Sequence, residues 1–260
     1  MIDKKGNLIA IFYSDYYPRD GKGAGAWCGR FRPQSYDGAM RVQPIVTNVC
    51  NMTLPTEEGG PALQTVDNVL TMFHEFGHAL HSFFRDVQYE GTGGVERDFV
   101  ELPSQINEHW AFEPEVLRQY ARHYRTGEVI PQELVEKIDA SSKYGQGFAT
   151  VEYLAASYVD LDLHYLTEMP KKLDVMKFQA EKMRKRGMPS QILPRYSVTN
   201  FSHTMGGGYS AGYYSYIWAE VLDADAFEAF KETGDIFNQQ VAERFLTEVL
   251  TPGGILPAIY

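Results

Sequence analysis

The 260-residue sequence has little of several features that would place it directly in a functional class. It holds only two cysteines, Cys28 and Cys50, too few for a disulfide framework, and this usage indicates a reducing compartment. No run of about 18 apolar residues occurs, so no membrane-spanning helix is predicted. Acids outnumber bases by 34 to 24, a formal net charge of −10, which argues against nucleic-acid or anionic-lipid partners. The N-terminus also lacks the long apolar core of a signal peptide, so we expect a cytoplasmic protein.

What the sequence does contain is a short strand-forming region followed by a long helical one. Stretches rich in β-branched and aromatic residues predict strands over 8–17, 26–32 and 41–50. Pro44, inside the third stretch, predicts an edge strand or a bulge. We therefore expect a small antiparallel sheet within residues 1–55.

From about residue 60 to 250 the apolar residues recur at three- and four-residue spacings, which is typical of helices. The predicted helices cover about 64–85, 104–124, 131–143, 147–168, 174–186, 212–231 and 235–249. No repeat, low-complexity tract or linker interrupts them. The expected fold class is mainly α with a small N-terminal sheet (α+β), organised as a single domain over 1–260.

The first predicted helix carries the pattern HExxH at His74-Glu75-Phe76-Gly77-His78. Residues four apart share a helix face, so the two imidazoles are placed to bind one zinc ion. Glu75 lies about 100° around the helix from His74, where a general base for a metal-activated water would stand. The simpler alternative is a core helix with two hydrogen-bonded histidines. His81 lies about 10 Å along the axis from His74, so we expect it to pack or hydrogen-bond rather than ligate.

A third protein ligand must then come from elsewhere in the chain. Spacing alone does not choose among the nearby candidates, of which the histidine is the least favoured: Glu90, Glu96, Asp98, Glu101, Glu108 and His109. Glu101 stands just before a predicted helix that could pack antiparallel to the first one, which favours it.

A second unusual segment covers residues 201–216, with the sequence FSHTMGGGYSAGYYSY. Its three consecutive glycines allow another backbone, such as that of a substrate, to approach closely. Tyr209, Tyr213 and Tyr216 follow at i, i+4 and i+7, a spacing that predicts one stripe of hydroxyls on a helix. From the residues alone, aromatic packing is the simpler interpretation of this stripe.

The segments HEFGHALH (74–81) and ERDFVELPSQ (96–105) resemble the thimet oligopeptidase and peptidyl-dipeptidase family of zinc peptidases. The segments INEHW (106–110) and YARHY (120–124) are most similar to its bacterial peptidyl-dipeptidase branch. The resemblance implies one Zn²⁺ per chain held by His74, His78 and Glu101, with Glu75 as general base. It also implies oxyanion contacts from His203 and Tyr216. The residues that it assigns to substrate binding are Gly207, Gly208, Tyr209 and Tyr213.

The same resemblance implies hydrolysis of short peptides, with release of C-terminal dipeptides preferred over internal cleavage by an oligopeptidase. Family members are much longer and carry a large helical region before this part. We therefore expect a fragment that holds the catalytic part, while the missing N-terminal half would complete the substrate channel. A further alternative is a fragment that binds zinc but cleaves peptides weakly.

Overall fold

The computed structural model describes residues 1–168 and 170–255. Within these residues, the strands all lie before Cys50: β1 (Ile11–Asp15), β2 (Trp27–Arg32), β3 (Ser35–Asp37), β4 (Met40–Val42) and β5 (Ile45–Val49). A three-stranded sheet has the order β1-β5-β2, and β3 and β4 form a separate hairpin.

The three-stranded sheet is mixed, whereas the sequence predicted an antiparallel one. β1 pairs parallel with β5, from Ile11 opposite Ile45 to Asp15 opposite Val49, and β2 pairs antiparallel with β5. A parallel pair needs a long crossover connection, and the segment between Asp15 and Ile45 supplies it.

Pro44 lies outside the strands, so the expectation of an edge strand or bulge at this position was wrong. It separates β4 from β5, and β5 begins at the next residue as the central strand of its sheet. Proline has no N–H to donate to a ladder, but its carbonyl still accepts from the backbone N–H of Ile11 at 3.0 Å.

The rest of the described chain is mainly helical. The helices are α1 (Val66–Phe84), α2 (Leu102–Phe112), α3 (Pro114–Tyr120), α4 (Gln132–Ser142), α5 (Gln146–His164), α6 (Val175–Lys185), α7 (Ser202–Met205), α8 (Ser215–Lys231) and α9 (Gln239–Arg244). A π-helical segment, Phe245–Leu250, continues α9. The mainly helical class with a small N-terminal sheet is confirmed.

One predicted helix, 104–124, is two helices in the structure. Glu113 has an extended backbone (φ −63°, ψ 134°) and ends α2, because the residue before a proline is pushed out of the helical region. Pro114 then starts α3 at a position where its missing N–H costs nothing.

The chain forms two compact units. The first unit comprises Met1–Val129 and the described residues from Ala219 onward, and the second is Ile130–Trp218. In the first unit, α1 packs on the sheet through a buried cluster formed by Ala10, Val46, Ala79 and Phe83. The expected single domain stays a prediction, because two compact units can belong to one domain.

No helix in the described ranges is long and apolar enough to cross a lipid bilayer. Cys28 and Cys50 are free thiols. The cytoplasmic location that the cysteine usage indicated stays a prediction.

Candidate metal centre

Helix α1 holds the HExxH segment well inside its 19 residues. The hydroxyl of Thr65 caps the helix start by accepting from the backbone N–H of Asn68 at 3.1 Å. One face buries Ala79 and Phe83 against the sheet, which fixes the rotation of the helix about its axis. The two motif histidines therefore project from a helix that is anchored both at its start and along its side.

Gly77, between the two histidines, lies at a close approach of α1 to the start of α2. A Cβ at this position would lie 2.2 Å from the carbonyl oxygen of Pro103 and 2.6 Å from Cα of Ser104. Only glycine allows such an approach. The close contact brings the residue just before α2, Glu101, against the histidine face of α1.

Glu101 meets both histidines through a single oxygen. Its Oε2 lies 3.2 Å from Nε2 of His74 and 3.2 Å from Nε2 of His78. Two ligands about 2.1 Å from one zinc ion, at the tetrahedral angle, are about 3.4 Å apart, so the separations fit a shared ion. In residues 1–168 and 170–255, this is the one group of three such side chains whose ligand atoms converge, all within 4.8 Å.

The environment of Glu101 keeps its carboxylate charged although it is only 1% exposed. Burial alone would raise its pKa, but the hydrogen bonds and charges of His74 and His78 outweigh burial and hold the pKa well below its usual range. The hydroxyl of Ser104 donates to Oε2 at 2.8 Å. A buried, ionised carboxylate oxygen together with two imidazole nitrogens is the set of ligand atoms expected of a divalent metal site.

Glu108 approaches the other ring nitrogen of His74, with its Oε1 2.6 Å from Nδ1. Burial would lower the pKa of His74, but the carboxylates of Glu101 and Glu108 outweigh it and raise the pKa to about 10. A metal cation at Nε2 would take the place of the proton there, because a ligating imidazole is neutral. Sequence spacing left Glu108 open as a third ligand, and the structure gives it this supporting contact instead.

The remaining ligand candidates do not join the group. His109 pairs with Asp223 at 2.6 Å and stacks on the ring of Phe227. In the described chain, the candidates that lie outside the converging group are Glu90, Glu96, Asp98, Glu108 and His109.

Glu75 and His81 are the other two titratable residues of this helix segment. Glu75 is 5% exposed, and burial is the main cause that raises its pKa. Its Oε2 has no hydrogen-bond partner among the described residues, so it is a buried acceptor without a donor. His81 lies outside the metal-ligand group, and burial lowers its pKa to about 3. A neutral, half-buried His81 outside this group agrees with the expectation that it does not ligate the metal.

The second unit brings all four of its predicted site residues that carry rings together. The ring centroid of His203 lies 6.0 Å from that of Tyr209 and 6.1 Å from that of Tyr216. Tyr209 and Tyr216 stack at 5.3 Å. Gly207 packs on the preceding helix, where a Cβ would lie 3.0 Å from the backbone of His203, and Gly208 has a positive φ of 84°.

The predicted helical stripe of tyrosines is wrong, because α8 begins only at Ser215. Ala211 has a φ of 53°, a left-handed conformation that interrupts any helix through Tyr209 and Tyr213. Tyr213 is 2% exposed and stacks on Tyr153 at 4.9 Å, and burial raises the pKa of its hydroxyl. In addition to these core contacts, its ring belongs to the same cluster of predicted site residues.

Comparison with known proteins places the chain in a family. The sequence profile of peptidase family M3 matches residues 1–259. The chain belongs to peptidase family M3. Dipeptidyl carboxypeptidase of Escherichia coli (strain K12) is 41% identical over 256 residues, which are 97% of this chain and 37% of that protein. Oligopeptidase A of the same organism is 39% identical over 262 residues, which are 98% of this chain and 38% of that protein.

The M3 chain thus spans somewhat more than a third of the length of the curated relatives it matches. Among solved structures, PZ peptidase A with an inhibitor aligns with a TM-score of 0.55 over 94% of this chain and 38% of that one. At 16% identity, that likeness shows the fold alone. M3 peptidases are metallopeptidases, which agrees with the His-His-Glu group.

Proposed function

We propose that this chain carries the catalytic centre of a zinc peptidase that hydrolyses short peptides. The observation that carries the proposal is the convergence of His74, His78 and Glu101 beside the buried carboxylate of Glu75. Two imidazoles and one carboxylate are a ligand set typical of catalytic zinc, which leaves a fourth position open. One zinc ion per chain would occupy the group.

A bound zinc ion supplies Lewis acidity, which polarises a carbonyl oxygen and acidifies water. Glu75 accepts the proton of the attacking water at a carboxylate oxygen and later hands it to the leaving amine nitrogen. Its burial suits this role, because burial raises the pKa of the carboxyl group and so makes its carboxylate a stronger base. Glu108 holds the ring of His74 at Nδ1, which leaves Nε2 directed toward Glu101 and the proposed metal position.

His203 and Tyr216 are proposed to donate hydrogen bonds to the developing oxyanion, and Gly207, Gly208 and Tyr209 to contact the substrate backbone. Support comes from the ring cluster of His203, Tyr209 and Tyr216 and from the glycines beside it. The proposed contact between Tyr213 and substrate has less support, because this residue is buried.

Release of C-terminal dipeptides is the preferred reaction, and internal cleavage is the alternative. The name of one E. coli relative fits dipeptide release and the name of the other fits oligopeptide cleavage. Their sequence identities to this chain are nearly equal. We also propose that the isolated chain cleaves peptides weakly, because its longer relatives contribute further chain to the fold. The substrate channel would then be completed by the N-terminal half that the sequence led us to expect.

Metal analysis together with mass spectrometry of the cleavage products tests the proposal. We expect about one zinc per chain and cleavage of an N-acylated short peptide, with dipeptides released from its C-terminus. Glu75→Gln should keep the zinc and lower kcat about 10³-fold, because it removes the general base. Glu115→Gln, an exposed site on α3, should leave kcat unchanged. Absence of zinc after metal loading, or cleavage that survives Glu75→Gln, would refute the proposal.

A further inference from the structure

A buried carboxylate in the second unit holds the segment that links the two proposed functional tyrosines. Asp160, on α5, is 1% exposed. Its Oδ1 accepts from the backbone N–H of Ala211 at 2.9 Å, and its Oδ2 accepts from that of Tyr213 at 3.0 Å. The two oxygens of one side chain therefore fix two backbone groups on either side of Gly212.

The backbone N–H groups of this loop resemble an anion-binding nest, in which the anion is the carboxylate of Asp160. Nearby backbone N–H groups converge where one residue adopts a left-handed conformation, and the cavity that they form favours negative charge. Ala211 has that conformation, with a φ of 53°, which an L-residue rarely adopts without support. The carboxylate of Asp160 provides the support, because its two hydrogen bonds fit this conformation of the backbone.

Neighbouring side chains complete the clamp. Nδ1 of His164, one turn further along α5, lies 2.9 Å from Oδ1 of Asp160 and 2.9 Å from its backbone oxygen. The hydroxyl of Tyr153, also on α5, donates to the backbone oxygen of Tyr213. Both backbone groups of Tyr213 are thus held by α5.

The clamped residues lie between Tyr209 and Tyr216, whose rings stack at 5.3 Å. Tyr209 comes before the left-handed turn and Tyr216 belongs to the first turn of α8, so the backbone at 211–213 sets their separation. Before the turn, the hydroxyl of Ser210 donates to the backbone oxygen of Thr204 at 2.6 Å. A change at Asp160 would release the side of this loop that leads into α8.

We propose that Asp160 is a positioning residue for peptide binding, acting through the left-handed turn at Ala211 to align Tyr209 with Tyr216. This role rests on the proposed function, since it assumes that these tyrosines face the peptide. Asp160 lies in α5, about 50 residues away in sequence from the loop that it holds, and neither its spacing nor the glycine-rich motif points to it.

The test uses the zinc-loaded chain, and peptide affinity is measured in the Glu75→Gln background so that the peptide stays intact. Asp160→Asn should weaken binding of an N-acylated pentapeptide about tenfold, because small displacements of positioning groups are costly, while zinc content stays the same. Hydrogen exchange should become faster in the segment 209–213. Asp162→Asn is the matched control, because Asp162 lies on the same helix and pairs with Arg186 instead.

A second variant separates positioning from general stability. Glycine adopts positive φ without strain, so adding Ala211→Gly should restore part of the affinity that Asp160→Asn loses. Affinity equal to that of Asp162→Asn, or no recovery on adding Ala211→Gly, would overturn the proposal. A chain that holds zinc but binds no peptide would overturn the proposed function and this role together. Hydrogen exchange at 209–213 would then still show whether Asp160 clamps the turn.

Discussion

At the scale of single residues, the charge of Glu101 is the strongest indication of a metal. Moving a carboxylate out of water costs several kcal/mol unless other charges or hydrogen bonds compensate. Around Glu101 the structure places the hydroxyl of Ser104 and the imidazoles of His74 and His78, whose nitrogens face the same oxygen. A divalent cation at that point would compensate the carboxylate and leave both imidazoles neutral.

Replacing Glu101 should therefore separate metal ligation from other roles. Glu101→Gln should weaken zinc affinity by more than the 10- to 100-fold typical of losing a supporting hydrogen bond, because it removes a ligand. Glu96→Gln, five residues earlier, should leave the affinity unchanged. Titration with a fluorescent zinc chelator as competitor gives both values. Equal affinities for the two variants would show that Glu101 is not a ligand.

Glu108 should behave as a supporting residue rather than a ligand. Its carboxylate accepts from Nδ1 of His74, which fixes the tautomer that presents Nε2 to the metal. Glu108→Gln should lower zinc affinity about 10- to 100-fold, less than Glu101→Gln does, and competition titration can rank the two. Glu115→Gln on α3 is the control for a lost surface charge. Affinity as low as that of Glu101→Gln would instead indicate that Glu108 ligates the metal.

At the scale of elements, the site depends on how closely α2 packs on α1. Gly77 permits that distance, and Asn107 secures it by donating from Nδ2 to the backbone oxygen of Phe73 at 2.6 Å. Pro103 and Ser104, which a Cβ at Gly77 would strike, directly follow the residue pair Glu101-Leu102. The packing of the two helices therefore also determines the position of Glu101, the proposed third ligand.

Gly77→Ala should consequently harm both stability and metal binding. Its Cβ would meet backbone atoms that cannot rotate away, so we expect a loss of about 3 kcal/mol in unfolding free energy, at the upper end for overpacked sites. Gly147→Ala, in the first turn of α5 with open space around the new Cβ, should instead be neutral or stabilising by less than about 1 kcal/mol. Chemical denaturation measures both. A Gly77→Ala protein as stable as Gly147→Ala would contradict the close approach.

The sequence predicted which segments form helices better than it predicted the positions where those helices are interrupted. Helix α1 was predicted at 64–85 and found at Val66–Phe84, because a strong apolar period and a capping threonine define it locally. The break at Glu113-Pro114 also had a local signal, the proline, which the apolar period outweighed in the prediction. The left-handed turn at Ala211 had none, since it depends on backbone hydrogen bonds donated to the distant carboxylate of Asp160.

The candidate site divides in the same way. His74, Glu75 and His78 follow from spacing on one helix. The proposed third ligand does not, because its place is fixed by a contact between two helices at Gly77. The position of Glu101 before a predicted helix favoured it, and the family resemblance then selected it among the open candidates. Neither residue spacing nor the family resemblance predicted the hydrogen bonds of Asp160. The local sequence around a carboxylate on a helix does not show which distant groups it contacts.

At the scale of the whole molecule, the metal group belongs entirely to one of the two compact units. His74, His78 and Glu101 all lie within Met1–Val129. The second unit has its own cores, one of which packs Ala155 and Val159 of α5 against Met183 of α6. A ligand that binds only the folded site stabilises that site by its free energy of binding. The segments that must unfold for the site to open are stabilised by the same amount.

Zinc should therefore protect the two units unequally. At a free zinc concentration of 100 times Kd, the bound state gains about 2.7 kcal/mol, so exchange that requires opening of the site should slow about 100-fold. We expect this protection in the amides of α1 and α2, with much less in α5 and α6. Hydrogen exchange with mass spectrometry, with and without a chelator, measures it. Glu101→Gln should abolish the difference, whereas equal protection of α1 and α5 would mean that both units open as one.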